Sequence, residues 1–471
     1  MNNRLNKIIL FSFLTLIVAS CKVGQNYQRP NANLPEKFRN ITTADTSSIA
    51  DIEWKNFFTD PVLQKLIEKG IANNYDLQIA LKNVAASQER LKQAKWLQTP
   101  ELNFAVTAQT SYPSKNSLNG LSVSSFLGKD HVEDYNASFN LSWEADIWGK
   151  ISRQKETALA QYLQSYEAAK AIQTQVVAAI AQDYYNLLML DEQLSIAKQN
   201  LILSDTTLLF TNLQFKAGES NSLAVQQAEA QEKSTQLLIP QLEQSIAVQE
   251  NALSILTGAM PDSISRNAKL SEVPVSAYLN AGVPAGIVSR RPDVRAQEQS
   301  LIAANAAVGI AQAQLYPQLI ITASGGVNSF KASNWFQTPA SLFGGVMGSL
   351  TQPILQRKQL KTNLAVAKIE RDKSVLAFRQ TVLNAVGEVS DALTANDKLK
   401  EQREIASQQV NTLQDGIKSA RLLYKSGMAN YLEVITAQEN ALQAELNLAF
   451  MQRQQLSAVV DLYRSLGGGW K

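Results

Sequence analysis

Few side chains in this sequence could carry covalent or metal chemistry. Its 471 residues include one cysteine, Cys21, and one histidine, His131, and the sequence has no phosphate-binding glycine loop or metal-ligand spacing. A catalytic triad or a metal centre needs several such groups held together. The sequence therefore predicts no catalytic residue, no cofactor and no metal site, and disfavours an enzyme. The formal net charge of +3 likewise indicates no nucleic-acid partner.

Cys21 ends an N-terminal segment that resembles a bacterial lipoprotein signal. Arg4 and Lys7 precede an apolar run, residues 8–18, that is too short to span a bilayer, and small residues come directly before the cysteine. In such signals residues 1–20 are removed and the cysteine is acylated, for example with palmitate. The alternative is a plain signal peptide with an incidental cysteine. Acyl chains would tether the protein to a membrane, and the lack of an aspartate after Cys21 favours the outer membrane.

The chain contains one structural unit twice, in residues 76–258 and 293–467. Both copies run in the order helix, proline, two strands, long helix, glycine turn and return helix. The corresponding anchor pairs are Asp76 and Asp293, Pro100 and Pro317, Gly218 and Gly427, and Gly258 and Gly467. A duplication of this length favours a symmetric scaffold over a catalytic fold.

Each copy contains two segments in which apolar and polar residues alternate, as in β-strands with one apolar face. They are predicted at 102–112, 134–145, 319–328 and 341–351. Loops at 114–130 and 329–339 are predicted to join each pair. The alternation fits a transmembrane sheet and a half-buried soluble sheet equally well. In lipid, four strands leave open edges and are too few to close, since the smallest barrels use about eight strands. A duct with room for a pore therefore needs at least three chains.

Two long proline-free segments predict helices at 152–215 and 357–424, within helical hairpins at about 152–256 and 357–464. At 1.5 Å per residue each long helix would run roughly 100 Å. Apolar residues three and four apart predict a narrow coiled-coil seam, as in Val375, Phe378, Val382, Val386, Val389 and Leu393. Pro240 is expected to interrupt the first return helix, and Gly387 and Gly416 to weaken the second long helix.

The two hairpin turns contain glycines that let a helix stop and reverse, Gly218 and Gly427. Leu432 and Glu433 follow the second turn directly. One reading makes the glycines simple helix caps and Glu433 a solvated charge. In a duct the same residues would lie at the mouth, where they would meet a docking protein and form a ring of carboxylates.

Three motifs resemble the TolC-like outer-membrane efflux factors, in the lipoprotein branch that serves resistance-nodulation-division (RND) pumps. The first is the string Arg290, Arg291, Pro292, Asp293, Val294, Arg295 and Ala296 that opens the second copy. The second comprises Trp54, Phe57, Phe58, Asp60, Pro61 and Leu63, and the third Trp143, Glu144, Asp146, Trp148 and Gly149. The resemblance covers nearly the whole mature chain.

The resemblance implies a mostly α fold with transmembrane β-strands. A homotrimer would form a twelve-stranded β-barrel in the outer membrane, continuous with a long α-helical barrel and a mixed α/β equatorial domain. The implied partners are outer-membrane lipid, a periplasmic adaptor (membrane fusion) protein and an inner-membrane RND pump. The implied division of the chain is signal 1–20, anchor 21–75, first repeat 76–258, connector 259–292, second repeat 293–467 and tail 468–471.

The resemblance also implies site residues around the second turn. Leu432, Glu433 and Thr436 are the periplasmic gate candidates, and Thr436 replaces an aspartate usual in this branch, which puts a two-tier gate in doubt. The adaptor-contacting tips would be Lys216, Gly218 and Asn221 in the first copy and Lys425, Gly427 and Asn430 in the second.

The predicted function is a passive exit duct for small toxic compounds, opened by its partners. The alternative is a structural or adhesive coiled-coil lipoprotein without a pore, which explains the helices and Cys21 but not four amphipathic strands in two pairs. The sequence does not select among drugs, metal ions and bile salts as cargo. Its six methionines are scattered and form no pattern of a soft-metal relay.

Overall fold

A computed structural model describes residues 23–31, 34–38, 48–266, 268–274, 281–282 and 284–471. Cys21 and the predicted signal lie outside the described residues. The helices are α1 (Trp54–Phe57), α2 (Pro61–Asn73), α3 (Tyr75–Trp96), α4 (Leu118–Leu127), α5 (Lys150–Lys216), α6 (Ser222–Leu256), α7 (Ala285–Arg290), α8 (Pro292–Ala313), α9 (Gln359–Lys425) and α10 (Tyr431–Ser465). The strands are β1 (Glu101–Ser111), β2 (Val132–Ala145), β3 (Gln318–Ser329) and β4 (Leu342–Thr351).

The chain divides into two compact units that cut across the two sequence copies. The first unit contains residues 23–30, 86–163 and 299–376. The second contains the described residues of 31–85 and 164–298, together with 377–471. Equivalent parts of both copies thus contribute to each unit. The division at the predicted domain boundaries stays a prediction.

The first unit holds a four-stranded antiparallel sheet in the order β1-β2-β3-β4. The register keeps the apolar positions on one face: Leu102 lies opposite Leu141, which lies opposite Ala323, which lies opposite Val346. This face is open, because Leu102 is 62% and Val346 80% exposed. In the described part of the chain, β1 and β4 each have a strand neighbour on one side only. The alternation of apolar and polar residues in the sequence predicts this apolar face of the sheet.

The predicted loop 114–130 is wrong in part, because it contains helix α4. The hydroxyl oxygen of Ser117 accepts a hydrogen bond from the Gly120 amide at 3.1 Å, and Gly128 ends the helix with a φ of 62°. Serine and glycine caps allow a short helix in a segment whose composition favours a loop. In the other predicted loop, 329–339, the structure has a short 3-10 turn at Ala332–Asn334.

The long helices are more continuous than the sequence predicted. Helix α6 runs through Pro240, so the expected interruption is wrong. A proline inside a helix removes one backbone donor, and packing of the rest of the helix offsets that loss. Helix α9 likewise continues through Gly387 and Gly416. Half of its predicted seam is buried, namely Phe378 and Val382 at 1% exposure and Val389 at 0%, and the other half is partly buried. Helix α9 begins at Gln359 because Arg357 and Lys358 have positive φ angles.

The N-terminal motif anchors α2 in the core of the second unit. The Tyr184 hydroxyl donates to Oδ2 of Asp60 at 2.7 Å, while Oδ1 of Asp60 accepts from the Val62 amide and caps α2. Burial raises the pKa of Tyr184, and the bond to Asp60 raises it further, so the phenol stays a neutral donor. Phe57 stacks on Tyr463 with ring centroids 4.0 Å apart.

The motif at the start of the second copy folds around a buried arginine. Arg291, 5% exposed, donates two hydrogen bonds to Asp293, at 3.0 and 2.6 Å. Its Nη1 also donates at 2.9 Å to Glu388 on α9 and to the Ser465 carbonyl on α10. Gly467 has a φ of 94°, and a Cβ there would come within 3.0 Å of the Arg290 backbone. The motif therefore joins α8, α9 and α10.

We expect Asp293→Asn to destabilise the protein by about 1–2 kcal/mol at pH 7, because the buried Arg291 loses one of its two carboxylate partners and keeps only Glu388. Burial alone would raise the pKa of Asp293, but the bonds and charge of Arg291 leave it below its usual 3.8. The contribution of Asp293 is therefore complete above about pH 4 and lost as the pH falls through the lowered pKa. Thermal unfolding at a series of pH values should show the stability difference between Asp293→Asn and wild type shrinking as the pH falls.

Asp415→Asn is the matched control, since Asp415 pairs with Lys418 on the surface and its side chain is 76% exposed. The control should follow wild type at every pH. If the stability difference between Asp293→Asn and wild type is the same at pH 7 and pH 3, Asp293 does not stabilise the protein through its charge.

Candidate functional site at the hairpin tips

The first tip joins α5 to α6 in the second unit. Helix α5 ends at Lys216, and Gly218 turns the chain with a φ of 79°. The Glu219 amide then donates to the Gln214 carbonyl at 2.9 Å. Asn221 starts α6, since its side-chain oxygen accepts from the Ala224 amide at 2.9 Å. Lys216, Gly218 and Asn221 are all exposed.

The second tip repeats this construction between α9 and α10. Helix α9 ends at Lys425, and Gly427 has a φ of 74°. The side-chain oxygen of Asn430 accepts from the amides of Leu432 and Glu433, at 2.9 and 3.2 Å. Lys425, Gly427 and Asn430 are exposed. The candidate tip residues thus form two equivalent capped turns.

The three gate candidates share one exposed face of α10. Leu432 is 51% exposed, and Glu433 and Thr436 are also exposed. The opposite face is buried in the same chain, with Val434 at 1% and Gln438 at 3% exposure. The structure therefore brings the gate candidates together on a surface that this chain leaves open. The equivalent first-copy leucine, Leu223, is 54% exposed, but it is followed by buried Ala224.

Several polar contacts join the second hairpin to the first, and the sequence reasoning missed two of them that lie near the tips. The Tyr424 hydroxyl lies 3.1 Å from Oγ1 of Thr211, which itself donates to the Thr207 carbonyl. One turn earlier, Nε2 of Gln438 donates to Oγ1 of Thr207 at 3.0 Å. The side-chain oxygen of Gln438 is buried without a hydrogen-bond partner. We refer to the Tyr424–Thr211 and Gln438–Thr207 contacts as the interhairpin latch.

A signal for the latch was present in the sequence. Tyr424 occupies the position of Phe215 in the first copy, and the added hydroxyl has a use only if a polar partner faces it. Gln438 interrupts the buried face of α10 with a polar residue. A cation–π contact adds to the contacts between the hairpins, with the Lys425 ammonium 5.2 Å from the Phe210 ring centroid.

The described residues contain no group of three or more histidine, cysteine, aspartate or glutamate side chains placed to hold a metal ion. None of the helices in the described ranges is long and apolar enough to cross a membrane.

A family model described as outer membrane efflux protein matches residues 66–259 and 284–468, which are most of the chain. The chain belongs to the outer membrane efflux protein family. The two matched segments correspond to the two sequence copies. Family membership identifies the chain as an outer-membrane component of efflux and as a passive channel, not an enzyme.

Individual relatives match over nearly the full chain. "Probable outer membrane lipoprotein SilC" of Salmonella typhimurium is 30% identical, over 98% of this chain and 99% of that protein. The cation efflux system protein CusC of Escherichia coli O6:H1 is 29% identical, over 97% and 98%. The crystal structure of the open state of the Neisseria gonorrhoeae MtrE outer membrane channel superposes with a TM-score of 0.85 at 26% identity, covering 96% of this chain and 99% of that one. The predicted fold class is thereby confirmed.

We expect Asn430→Ala to loosen the turn that presents the gate candidates, because it removes the acceptor for two amides at the start of α10. A lost N-cap costs about 1 kcal/mol, which corresponds to roughly fivefold faster hydrogen exchange at Leu432 and Glu433. Asn430→Asp keeps the acceptor and should restore the protection. Asn221→Ala, the matched change in the first tip, should leave α10 unchanged. Unaltered exchange at both amides in Asn430→Ala would contradict the cap.

Proposed function

We propose that the chain is one subunit of a homotrimeric exit duct in the outer membrane. It receives small toxic compounds from a periplasmic adaptor protein and an inner-membrane RND pump, and it conducts them passively to the outside. The observation that carries this proposal is the four-stranded sheet with one exposed apolar face and two unpaired edges. Cys21 would add a lipid anchor in the same membrane.

The sheet supports the proposal through its backbone. An unpaired strand edge in hydrocarbon leaves N–H and C=O groups without partners, each at a cost of several kcal/mol. Antiparallel pairing of β1 with β4 of the next copy removes both edges. Two copies would give eight strands, whose interior side chains can fill, whereas three give twelve and leave a channel.

The exposed face of α10 supports a gate in the proposed duct. Around a threefold axis, three Leu432 side chains would narrow the opening by contact, and three Glu433 carboxylates would repel one another and attract cations. Thr436 lies one turn further along the same face. The two exposed tips, with Lys216, Gly218 and Asn221 and with Lys425, Gly427 and Asn430, would be the surface that the adaptor contacts.

The interhairpin latch supports a mouth that opens when a partner binds. To move the second hairpin away from the first, the chain must break the contacts of Tyr424 and Gln438 to α5. Two hydrogen bonds contribute about 1–3 kcal/mol per chain. A partner that binds the separated hairpins more tightly by this amount shifts the equilibrium towards the open state. The duct itself then needs no energy source.

The proposed function is tested by two measurements on the full chain. Native mass spectrometry of the purified protein should show a trimer, and the trimer should give single-channel conductance in a planar bilayer. Deletion of the gene should sensitise cells to at least one compound in a panel of drugs, bile salts and metal cations; cations are included because of the relative CusC. Trimers without conductance would favour the structural or adhesive alternative.

We expect the double variant Leu432→Ala, Glu433→Ala to raise single-channel conductance, because it removes both the apolar constriction and the carboxylate ring. Glu433→Gln alone should lower the preference for cations, measured as the reversal potential in a salt gradient. Leu223→Ala is the matched control, since Leu223 is equally exposed in the first hairpin. If conductance of the double variant does not rise, the gate lies elsewhere.

A further inference from the structure

The segment between β4 and α9 exposes two large apolar side chains. Ile354 is 87% and Leu355 is 93% exposed, the highest value among the exposed large apolar residues of the described chain. They follow directly after an edge strand of the sheet. Apolar side chains left this open in one subunit mark a surface that something else covers.

The backbone after this pair is held in a costly conformation. Arg357 and Lys358 have φ angles of 48° and 66°, in the left-handed region that non-glycine residues rarely adopt. Such strain persists where surrounding structure compensates for it. Within the chain, the backbone of this turn is held by hydrogen bonds from the Gln359 amide to the Gln356 carbonyl and from the Thr362 amide to the Lys358 carbonyl.

The first copy of the repeat makes the same junction without strain or exposure. Between β2 and α5, the left-handed position is Gly149, with a φ of 77°. Trp148 is stacked on Tyr316 at 4.8 Å and donates to the Pro317 carbonyl at 2.7 Å. The first junction is thus anchored within its own chain, whereas the second presents its apolar residues outwards.

A groove of about 530 Å³ lies at the opposite edge of the same unit. The residues directly before β1 line it, including Trp96, Leu97 and Pro100. Trp96 is 71% and Leu97 43% exposed. The groove is large enough to take two branched aliphatic side chains.

The strand directions place the exposed pair and the groove at one end of the sheet. Every neighbouring strand pair is antiparallel, so β1 starts at the end of the sheet where β4 finishes. If β4 of one copy pairs antiparallel with β1 of the next, the residues after Thr351 must emerge beside the residues before Glu101 of that neighbour. The groove lining contains Glu101 together with the ion pair of Glu144 and Lys150, so Glu101 is the carboxylate left for Arg357 or Lys358, which follow the apolar pair.

We propose that Ile354 and Leu355 of each subunit seat in the Trp96–Leu97 groove of the next subunit and lock the sheet edges together at this end. The inference rests on the proposed homotrimer and specifies a contact on which that trimer depends. The occupant of the groove is a second copy of this chain, and the exposed pair is an intersubunit plug rather than a lipid-facing surface.

Disulfide trapping tests the contact in the full-length protein. Cysteine is placed at 354 or 355 together with cysteine at 96 or 97, giving four double variants, and a disulfide forms only where the Cα atoms lie about 4.4–6.8 Å apart. We expect at least one of these pairs to give covalent dimers and trimers under oxidation that revert on reduction. Leu355→Cys with Phe126→Cys is the control pair, because Phe126 is 88% exposed but lies in α4, after the far end of β1. The control pair should stay monomeric on the denaturing gel.

A second variant separates the contact from folding. Leu355→Asp should lose most of the trimer that survives mild detergent heating, while Phe126→Asp retains it and both keep the wild-type helical circular dichroism signal. If native mass spectrometry shows trimers but none of the four pairs cross-links, the plug is wrong and the proposed function stands. If no trimer forms at all, the proposed function fails. A spin label at 355 that is relaxed by lipid-dissolved oxygen would place the pair in lipid and overturn the inference.

Discussion

The unpaired backbone at the two edges of the four-stranded sheet is the constraint on which the rest of the structure depends. An apolar face suits this sheet to lipid, where an N–H or C=O group finds no water to replace a missing strand. In lipid such edges need further strands as partners, and in the proposed homotrimer other copies of the chain supply them. Assembly is therefore a condition for the sheet to occupy a membrane at all, and the features at its base follow from that condition.

The two copies of the repeat meet this condition differently. At the base of the sheet, the first copy uses Gly149 and keeps Trp148 packed inside the chain, while the second uses Arg357 and Lys358 in a strained turn and leaves Leu355 outside. Within one chain, the apolar side chains at the first junction have packing partners, whereas those at the second junction are exposed. Such divergence suits a chain that assembles into a ring. The apolar residues exposed after β4 of one copy need a surface on the next copy that can receive them.

Much of this fold could be read from the sequence, because its signals are periodic. Alternation located four strands, and spacings of three and four residues located the buried seam at Phe378 and Val382. Two predictions from isolated residues were wrong. Pro240 does not interrupt its helix, because packing along a long helix outweighs one missing hydrogen-bond donor. Ser117 caps a short helix in a segment that was predicted as a loop. The site was read only in part. Leu432 follows a visible glycine turn, but the partner of Tyr424 lies on another helix that no local pattern identifies.

The same divergence appears at the tips, where it bears on gating. The copies share their glycine turn and asparagine cap, so both hairpins present equivalent ends to a partner. Only the second hairpin has a charged residue next to its leucine, Glu433 beside Leu432. Tyr424 and Gln438 of the second hairpin form hydrogen bonds to the first hairpin. In the proposed mechanism, a partner that contacted both tips alike would still move them unequally, because hydrogen bonds that include those of Tyr424 and Gln438 hold the second hairpin to the first. In the proposed trimer, symmetric docking would therefore produce an asymmetric motion within each chain, and repetition of that motion around the threefold axis would open the mouth evenly.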